Sequence, residues 1–422
     1  MGPLAPPGEA MHILFVHQNY PAQFGHLARY LNQYHGYDCT FVNQRIAGKD
    51  GRDGAIRIVQ YKANEKSHQS SRVFEDTVWH THGVYDALVA MPDLPRPDLI
   101  VGHSGFGSTL LLRELYDCPI INYFEYFYKP HGSDIDFRPD FPCRYETVLQ
   151  SPFRNAMILL DLNNCDRGYS PTHWQHSKLP AEYRPKVDVL FDGVDVNVWK
   201  PDANPSRKFG DWEVPHGCKL VTYATRGMES MRGFDIFLSA AHRLSKMRSD
   251  VVFAIAGQDR VAYGSDQRHF GGKTLKQYIL SLGYLDTSRF HFLGLLSPVD
   301  LARLFALSDV HCYLTVPFIL SWSVFNALSC GVTLLASDTP SVREVVKHGQ
   351  NGLLVPFFDE IGFAEQANAI LNDPAKYKPL GQAGRQLVQQ CYSYEACLPP
   401  IHRLYEQTAS AGKKPRPVAP WL

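Results

Sequence analysis

The chain has 422 residues, which is more than one hydrophobic core usually organises, and this length predicts two domains. Hydrophobic residues make up 45% and charged residues 20%, as in globular proteins, and 42 basic residues balance 42 acidic ones. The balance argues against nucleic acid as the partner, and the lack of a run of about 18 apolar residues predicts no transmembrane segment.

The cysteines and histidines argue against a metal site or a disulfide framework. The nine cysteines form no CxxC pair, and the 18 histidines include no HExxH motif. This pattern is typical of reduced thiols in a cytoplasmic protein, and we expect no metal and no cofactor. The first ten residues, MGPLAPPGEA, lack the features of a signal peptide, and we expect a disordered extension there.

Short apolar segments in the first half predict buried strands that alternate with helices. The strands are predicted in HILFV (12–16), DLIVG (98–102), PIINYF (119–124) and VDVLF (187–191). Helices are predicted after the first two strands, one through Leu27, Tyr30 and Leu31 and one in TLLLREL (109–115). The segment from 127 to 146 contains prolines, aromatic residues and both charge signs, and it predicts a functional loop.

The second half repeats the alternation. Strands are predicted in KLVTYA (219–224), VVFAIAG (251–257), FHFLG (290–294), VHCYLTV (310–316) and TLLAS (333–337). Helices are predicted from Gly233 to Met247 and from Trp322 to Cys330. The chain is therefore expected to be an α/β protein with two Rossmann-like domains facing a central cleft. We assign residues 11–200 to the N-terminal domain, 201–395 to the C-terminal domain, and 396–422 to a helix that returns to the N-terminal domain and a tail.

Three strand ends in the second half carry residues suited to a pyrophosphate. Arg226 and Arg232 follow the first strand, Gly257 ends the second, and Ser321 and Ser323 begin the helix after the fourth. Arginines and the N–H groups of a helix N-terminus bind anions. The alternative is that a serine only caps the helix and the arginines are solvated. The convergence of these groups on one sheet edge favours the anion site.

Four segments together resemble the retaining GT-B glycosyltransferases of family 4, over residues from Met11 to about Gln407. They are FDGVDVNVWKP (191–201), TRGMESMRGF (225–234), FLGLLSPVDLARLFALSDVHCYLT (292–315) and SCGVTLLASDTPSVREVVKHGQNGLLVP (329–356). The resemblance implies sugar transfer from a nucleotide diphosphate sugar to an acceptor, with retention of configuration and without a metal. The motif Asp134-Ile135-Asp136 is therefore expected to bind no metal.

The resemblance also implies roles for residues of the C-terminal domain. Arg226 and Arg232 take the arginine and lysine positions of the phosphate clamp, and the backbone around Leu293 borders the base. The family carries two glutamates eight residues apart. In this sequence the first position is Phe318 and the second is Asn326. Asn326 can still bond a ribose diol. The remaining expected donor contacts are Gly257, Ser321, Trp322, Ser323 and Glu344.

In the N-terminal domain, His103 takes the family's histidine position and Glu125 stands where a second histidine is usual. The two are candidates for sugar contact or proton handling. An equal alternative makes Glu125 a strand-end acid bonded to a nearby arginine or tyrosine. The turn that takes the place of the family's acceptor loop supplies Gln18, Asn19, Gln23 and Gly25, and the aromatic residue Tyr126 completes the expected acceptor contacts.

The loss of both family glutamates leaves other functions open. Either the donor sugar is held differently, or it lacks the usual hydroxyl, or catalysis is lost. The alternatives are a non-catalytic protein that binds a nucleotide sugar or regulates a partner, and a nucleotide-sugar epimerase on the same scaffold. The acceptor is not determined and could be a saccharide, a glycolipid or a small metabolite. Peripheral membrane contact also stays open.

Overall fold

The computed structural model of the protein describes residues 11–44, 51–62 and 71–411. The extension expected at 1–10 and the tail from 412 onward lie outside the described residues. The described chain divides into two compact units. The first contains the described residues up to Pro130, Arg144–Asp192 and those from Cys397 onward, and the second contains His131–Cys143 and Gly193–Ala396. The sequence had assigned 131–143 to the N-terminal domain, whereas the segment groups with the second unit.

The first unit contains a mostly parallel β-sheet and several α-helices. Its strands within the described residues are β1 (His12–Val16), β2 (Asp38–Asn43), β3 (Arg52–Asp53), β4 (Ile56–Gln60), β5 (Leu99–His103), β6 (Ile120–Tyr123), β7 (Arg167–Ser170) and β8 (Val187–Val189). Their order is β3-β4-β2-β1-β5-β6-β7-β8, and every pair is parallel except β3 with β4. The helices are α1 (Gly25–His35), α2 (Arg72–Val89), α3 (Tyr145–Asn164) and α4 (His173–Lys178).

The second unit contains another parallel sheet. A small antiparallel pair, β9 (Lys208–Phe209) and β10 (Trp212–Glu213), precedes it. The sheet strands are β11 (Lys219–Gly227), β12 (Val251–Gln258), β13 (Phe290–Gly294), β14 (Val310–Tyr313), β15 (Leu334–Ser337) and β16 (Leu353–Val355), in the order β13-β12-β11-β14-β15-β16. The helices are α5 (Phe234–Met247), α6 (Leu275–Ser281), α7 (Pro298–Leu307), α8 (Trp322–Ser329), α9 (Pro340–Val345), α10 (Glu360–Asn372) and α11 (Pro374–Leu387).

These sheets confirm the α/β class and the two Rossmann-like domains expected from the sequence. The strands are buried because their apolar side chains are covered on both faces, as β1 shows with five buried residues in succession. Helix α5 illustrates the covering layer, since Phe234, Phe237, Leu238 and Leu244 recur at helical spacing and are all buried.

Some predicted elements differ from the structure. The strand expected to continue to Val316 ends at Tyr313, because the next backbone N–H groups leave the sheet ladder: Thr315 donates to Ser337 Oγ and Val316 donates to the carbonyl of Met231. The helix predicted in TLLLREL is only a 3-10 turn, Leu110–Glu114, since the chain must enter β6 soon afterwards. Strands β2, β3, β4, β7, β9, β10 and β16 were not predicted.

The last helix, α12 (Tyr394–Ser410), passes from the second unit into the first, to which its residues belong from Cys397 onward. Within the first unit, the hydroxyls of Tyr405 and Tyr169 are 3.1 Å apart, and both rings are almost fully buried. The hydroxyl of Tyr37 lies 2.8 Å from Nε2 of His402. These polar contacts tie α12 to β7 and to the segment before β2.

A buried carboxylate fixes the loop that follows β5. Asp161 of α3 is fully buried, and its two oxygens accept hydrogen bonds from the hydroxyls of Ser104 at 2.8 Å and Ser108 at 2.9 Å. Burial raises the pKa of Asp161 to about 7, although the two hydroxyls favour the anion. In the folded protein the carboxyl of Asp161 therefore stays protonated at pH values where it is ionised in an unfolded chain.

This raised pKa predicts a pH-dependent contribution to stability. Between pH 4 and 7 the folded state binds more protons than the unfolded state, so stability falls as pH rises through this window, by roughly 4 kcal/mol at most. We expect Asp161→Asn to remove this slope and to be as stable as the parent or more stable at pH 8. Urea unfolding from pH 5 to 8 measures the difference, with the exposed Asp93→Asn as the control. If the free energy of unfolding changed equally with pH in the parent and in Asp161→Asn, the prediction would be contradicted.

Candidate functional site

The polar strand ends of the second unit lie at one edge of its sheet. Strands β12, β11 and β14 are neighbours and run parallel, so their carboxyl ends meet there. Arg226 lies near the end of β11, Gly257 near the end of β12, and the segment after β14 leads to Ser321. The structure therefore brings together the groups that the sequence placed at these three strand ends.

Arg232 is the most enclosed cation at this edge. It ends the 3-10 turn Ser230–Arg232 and is only 5% exposed. Its Nη1 donates to Oγ1 of Thr315 at 2.7 Å and to the carbonyl of Ile319 at 3.0 Å. Among the described residues, no carboxylate lies within ion-pairing distance of Arg232, and only Nη1 donates hydrogen bonds. A buried guanidinium in this state can bind an anion through its remaining N–H groups.

Two aromatic rings face this guanidinium. Its carbon lies 5.1 Å from the ring centre of Tyr263 and 5.5 Å from that of Phe318. The two rings are themselves 5.5 Å apart, and Phe318 is 5% exposed. The position that resembles the family's first glutamate is thus occupied by a buried ring beside the cation. Attraction between cation and ring stabilises Arg232 without neutralising its charge.

Arg226 is exposed, unlike Arg232, and the described residues provide it with no ion-pair partner. Gly257, on the neighbouring strand, has φ +139, and a Cβ built there would lie 2.2 Å from the carbonyl oxygen of Thr225. Only glycine lets β12 approach the end of β11 this closely. The half-buried Leu293 lies near the end of β13, on the other side of β12.

Helix α8 begins at the same edge. Ser321 is its N-cap, and the Ser321 Oγ accepts from the backbone N–H of Ser323 at 3.2 Å. The two serine hydroxyls are 2.9 Å apart, and the N–H of Ser321 donates to the hydroxyl of Tyr313 at 3.0 Å. These bonds support the capping alternative for Ser321, and the hydroxyl of Ser323 contacts that cap. A contact between either hydroxyl and an anion would be in addition to this role.

The side chains next along α8 differ in exposure. Trp322 is 44% exposed at the first turn. Asn326, one turn further, is half-buried, and no described residue forms a hydrogen bond with its side-chain amide. Its amide is therefore available to a ligand. Glu344, the last predicted donor contact, is half-buried within α9.

A buried carboxylate that sequence reasoning missed organises the adjoining loop. Glu229 is 0% exposed, and one of its oxygens accepts from the backbone N–H groups of Ala262, Tyr263 and Gly264 at 2.9, 2.9 and 3.0 Å. Burial raises the pKa of Glu229, while these N–H groups and Arg232 oppose the rise. The contact fixes the loop that carries Tyr263. A single acidic residue in a turn gives no sequence signal of such a role.

In the first unit, His103 ends β5 inside a cluster of rings. Its imidazole is 0% exposed and lies beside His17, Phe106 and Tyr123. Burial and the neighbouring His17 lower the pKa of His103 well below its usual range. Nδ1 lies 2.9 Å from the carbonyl oxygen of Ser104, which fixes the ring as a neutral donor through this nitrogen. The Nε2 atom has no surface that a ligand could reach, so the structure does not support direct contact between His103 and a sugar.

Glu125 lies beyond this ring. Its Oε2 is 3.7 Å from Nε2 of His103, and its side chain is 24% exposed. The carbonyl of Glu125 accepts from Nε2 of Gln175 at 2.5 Å, which connects the residue to α4. The carboxylate, unlike the imidazole behind it, has surface that an acceptor could contact.

The turn after β1 holds the other predicted acceptor contacts. Gln18 donates from its backbone to the carbonyl of Phe106 at 2.6 Å and from Nε2 to Gln44 at 3.2 Å, while Asn19 is exposed. Gln23 is half-buried, and it follows His17, whose burial lowers the pKa of the imidazole to about 4. Gly25 begins α1, where a Cβ would lie 2.2 Å from Cβ of Pro21.

The burial of Tyr126 does not fit the acceptor contact predicted for it. Its ring is 6% exposed, and it stacks against Trp174 with ring centres 5.9 Å apart. A ring packed in this way has no face left for stacking with an acceptor. Tyr123, Phe124 and Phe127 are buried as well, so these neighbouring rings pack in the core.

Two family models match consecutive parts of the chain. Residues 35–199 match the model described as glycosyl transferase family 4 group, and residues 207–387 match the model described as glycosyl transferases group 1. The two matches support a GT-B glycosyltransferase of family 4, group 1. Together, the two matches extend the resemblance found in the motifs over both domains of the chain.

Solved structures share the fold. The chain is similar to sucrose-phosphate synthase from Thermosynechococcus elongatus, with a TM-score of 0.72 and 17% identity over 96% of this chain and 100% of that one. It is also similar to HepE from Anabaena in complex with UDP-glucose, with a TM-score of 0.65 and 16% identity over 95% of this chain and 100% of that one. At these identities the similarity shows the GT-B fold alone.

Among curated proteins, the N-acetyl-alpha-D-glucosaminyl L-malate synthase of Bacillus anthracis is 28% identical over 65% of this chain and 66% of that protein. The chain spans about two thirds or less of the length of the first curated relatives it matches. Within the described ranges, none of the helices combines the length and hydrophobicity that crossing a membrane requires.

The contacts of Glu229 lead to a stability prediction. Glu229→Ala should lower the free energy of unfolding by about 2–4 kcal/mol, because three backbone N–H groups lose a charged acceptor. Urea unfolding measures the loss, and hydrogen exchange should accelerate at Ala262, Tyr263 and Gly264. The exposed Glu213→Ala is the control and should change neither. Unchanged exchange at the three amides would show that Glu229 does not hold the loop.

Proposed function

We propose that the protein transfers a sugar from a nucleotide diphosphate sugar to an acceptor hydroxyl, with retention of configuration and without a metal ion. The donor binds at the sheet edge of the second unit, and the acceptor binds to groups of the first unit. The domain matches support a glycosyltransferase, and the site residues of this chain support the diphosphate as the donor's anionic part.

The buried charge of Arg232 is the observation that carries this proposal. A guanidinium at 5% exposure is costly unless an anion or several acceptors compensate it, yet within the described residues only Nη1 has acceptors. A pyrophosphate provides the missing charge and accepts from the remaining N–H groups. The exposed Arg226 at the same edge adds a second cation.

The same groups act on the leaving nucleotide. As the glycosidic bond to the diphosphate breaks, negative charge grows on the departing phosphate oxygen. Preorganised cations and the N-terminus of α8 stabilise this charge more than they stabilise the bound donor, which lowers the barrier by several kcal/mol. Because the arginines supply the positive charge, the proposed reaction has no step that needs a metal.

The rest of the donor binds around α8 in this proposal. The amide of Asn326 bonds the ribose hydroxyls in place of a carboxylate. Phe318 cannot accept a hydrogen bond, so we assign the sugar to Ser321 and Trp322 of the second unit, with Glu344 as a further donor contact. The backbone at Leu293 borders the base, and Gly257 leaves room for the nucleotide. UDP is one donor to test, since HepE is described in complex with UDP-glucose.

Acceptor binding is assigned to the first unit. Glu125 is the group for sugar contact or proton removal, since its carboxylate is partly exposed, and His103 acts only behind it. Gln18, Asn19, Gln23 and Gly25 supply the turn beside the acceptor. A saccharide, a glycolipid and a small metabolite all offer the hydroxyl that this chemistry needs.

A second candidate function is binding of a nucleotide sugar without transfer. It is favoured by the buried ring of Phe318 and the amide of Asn326, where the family carries carboxylates. A protein of this kind would keep the phosphate contacts of Arg232 and would release no nucleotide over time. Turnover therefore separates the two candidates.

Binding of nucleotide sugars tests the proposed donor site. UDP-, GDP-, ADP- and TDP-sugars are screened by thermal shift, and the correct donor at 100 times its dissociation constant should add about 2.7 kcal/mol of stability. Arg232→Ala should abolish the shift. Arg243→Ala, which removes an exposed ion pair with Glu360, is the control and should keep the shift. If none of these sugar nucleotides shifts the parent, the proposal is wrong.

Asn326→Glu tests whether the amide is adapted to the donor. We expect this carboxylate to weaken binding of the donor found in the screen by roughly tenfold, because it loses the N–H donors of the amide. Calorimetric titration measures binding, and release of nucleoside diphosphate with time measures turnover. A gain of activity in Asn326→Glu would instead show that the asparagine is a loss from the family's site.

A further inference from the structure

A segment from the first half of the sequence is built into the second unit. Residues His131–Cys143 belong to that unit, whereas the chain before Pro130 and the helix α3 after Arg144 belong to the first. The segment contains no helix or strand, and Asp136 closes a turn in it by accepting from the N–H groups of Gly132 and Ser133. Something other than regular backbone pairing must hold it in place.

Arg138 is that anchor. Its Nε and Nη2 donate to the two oxygens of Asp140 at 3.0 and 2.5 Å. Its Nη1 and Nη2 donate to the two oxygens of Asp235 at 3.1 and 2.5 Å, and Nη1 also donates to the carbonyl of Ser230 at 2.9 Å. All five N–H groups of this guanidinium are used, and the side chain is 4% exposed. Such fork-shaped contacts fix both partners in orientation.

Aromatic rings close the site around Arg138. The guanidinium carbon lies 4.7 Å from the ring centre of Phe141 and 5.2 Å from that of Phe357. Phe137 stacks on Phe358 with ring centres 5.3 Å apart. The rings cover the guanidinium, and of its two carboxylate partners Asp235, with 21% of its side chain exposed, is more enclosed than Asp140 with 49%. Loss of the partner of an enclosed charge is costly.

The residues that Arg138 holds lie on both sides of Arg232. Ser230 and Arg232 are the ends of one 3-10 turn, and Asp235 lies in the first turn of α5. Between them, Gly233 has φ +61, and a Cβ there would lie 2.7 Å from Cβ of Leu314, so the chain bends tightly at this point. Asp266 holds the other side of Ser230, accepting from its N–H at 2.6 Å and its hydroxyl at 2.7 Å.

We propose that Arg138 is a positioning residue for Arg232, and that the segment His131–Cys143 thereby sets the affinity of the second unit for a diphosphate. This inference rests on the proposed function of Arg232. Loss of Arg138 leaves the carbonyl of Ser230 and the carboxylate of Asp235 without their partner. The turn then shifts, and the free N–H groups of Arg232 no longer point where the phosphate oxygens bind.

The same helix provides a matched control. Arg248 follows the last residue of α5, and its Nε and Nη2 donate to the two oxygens of Asp250 at 2.9 and 2.7 Å. Arg248 also contacts Asn368 at 3.3 Å, and its side chain is 15% exposed. Arg248 and Asp250 thus form a bidentate ion pair at the opposite end of α5, away from Arg232. Substitution there weakens the same unit without touching the turn.

The experiment compares Arg138→Met, Arg138→Lys and Arg248→Met in the full chain. Dissociation constants for UDP, GDP, ADP and TDP are measured by calorimetry, and hydrogen exchange is followed at the amides of residues 229–236. We expect Arg138→Met to weaken the nucleotide that the parent binds by at least about tenfold and to speed exchange in the turn. Arg248→Met should stay within about twofold of the parent, even though it also lowers the melting temperature.

Arg138→Lys covers the case in which the methionine variant does not fold. The lysine keeps a positive charge beside Asp235, but a single ammonium cannot fork to two carboxylates and the carbonyl of Ser230. We expect it to fold and to bind the nucleotide several-fold more weakly than the parent. Parent-like affinity in Arg138→Lys together with parent-like exchange in the turn would overturn the inference.

The outcomes separate this inference from the proposed function. If the parent binds a nucleotide and Arg232→Ala abolishes binding, the proposed donor site stands. Equal affinities of the parent and Arg138→Met would then overturn only the role of Arg138. Equal losses in Arg138→Met and Arg248→Met would also overturn it, because general destabilisation would explain both. If the parent binds none of the four nucleotides, both proposals fall.

Discussion

The candidate site depends on one constraint at the edge of the second sheet: the charge of Arg232 is buried and no carboxylate of the described residues forms an ion pair with it. Arg232 is kept there by a carbonyl, a hydroxyl and two aromatic rings. These contacts hold its position but do not cancel its charge. The neighbouring acids are used elsewhere, Glu229 on three backbone N–H groups and Asp266 on Ser230. This distribution of charge suits a ligand that brings its own negative charge.

The surroundings of Arg232 also show where the site departs from the pattern of the family that the chain resembles. Phe318 and Asn326 stand at the two positions where the resemblance implies carboxylates. In the structure, Phe318 packs against the cation and Tyr263. The ring carries no charge, so it leaves the positive charge of Arg232 unneutralised. The two replacements therefore have different physical consequences. Phe318 changes the electrostatics beside Arg232, whereas Asn326 replaces a carboxylate, which only accepts hydrogen bonds, with an amide that also donates them.

Much of the fold follows from local sequence patterns. Continuous apolar segments such as HILFV and VVFAIAG predict buried parallel strands, because both faces of such sheets are covered. Strands β2 and β7 were missed because polar residues such as Asp38, Thr40 and Arg167 interrupt their apolar pattern. The strand predicted through Val316 was too long, since contacts with Ser337 and Met231 end the ladder at Tyr313. Such long-range contacts have no local signal.

The sequence by itself determined the alternation of strands and helices, the two Rossmann-like domains and the polar residues at the strand ends, because apolar periodicity and motif spacing are local properties of the chain. Only the tertiary structure decided which of these residues are enclosed: Arg232 is buried and Arg226 exposed, the imidazole of His103 is sealed and the carboxylate of Glu125 is not. It also decided that Arg138, 94 positions before Arg232, anchors the adjoining turn. Burial and pairing depend on residues distant in sequence, which no local pattern encodes.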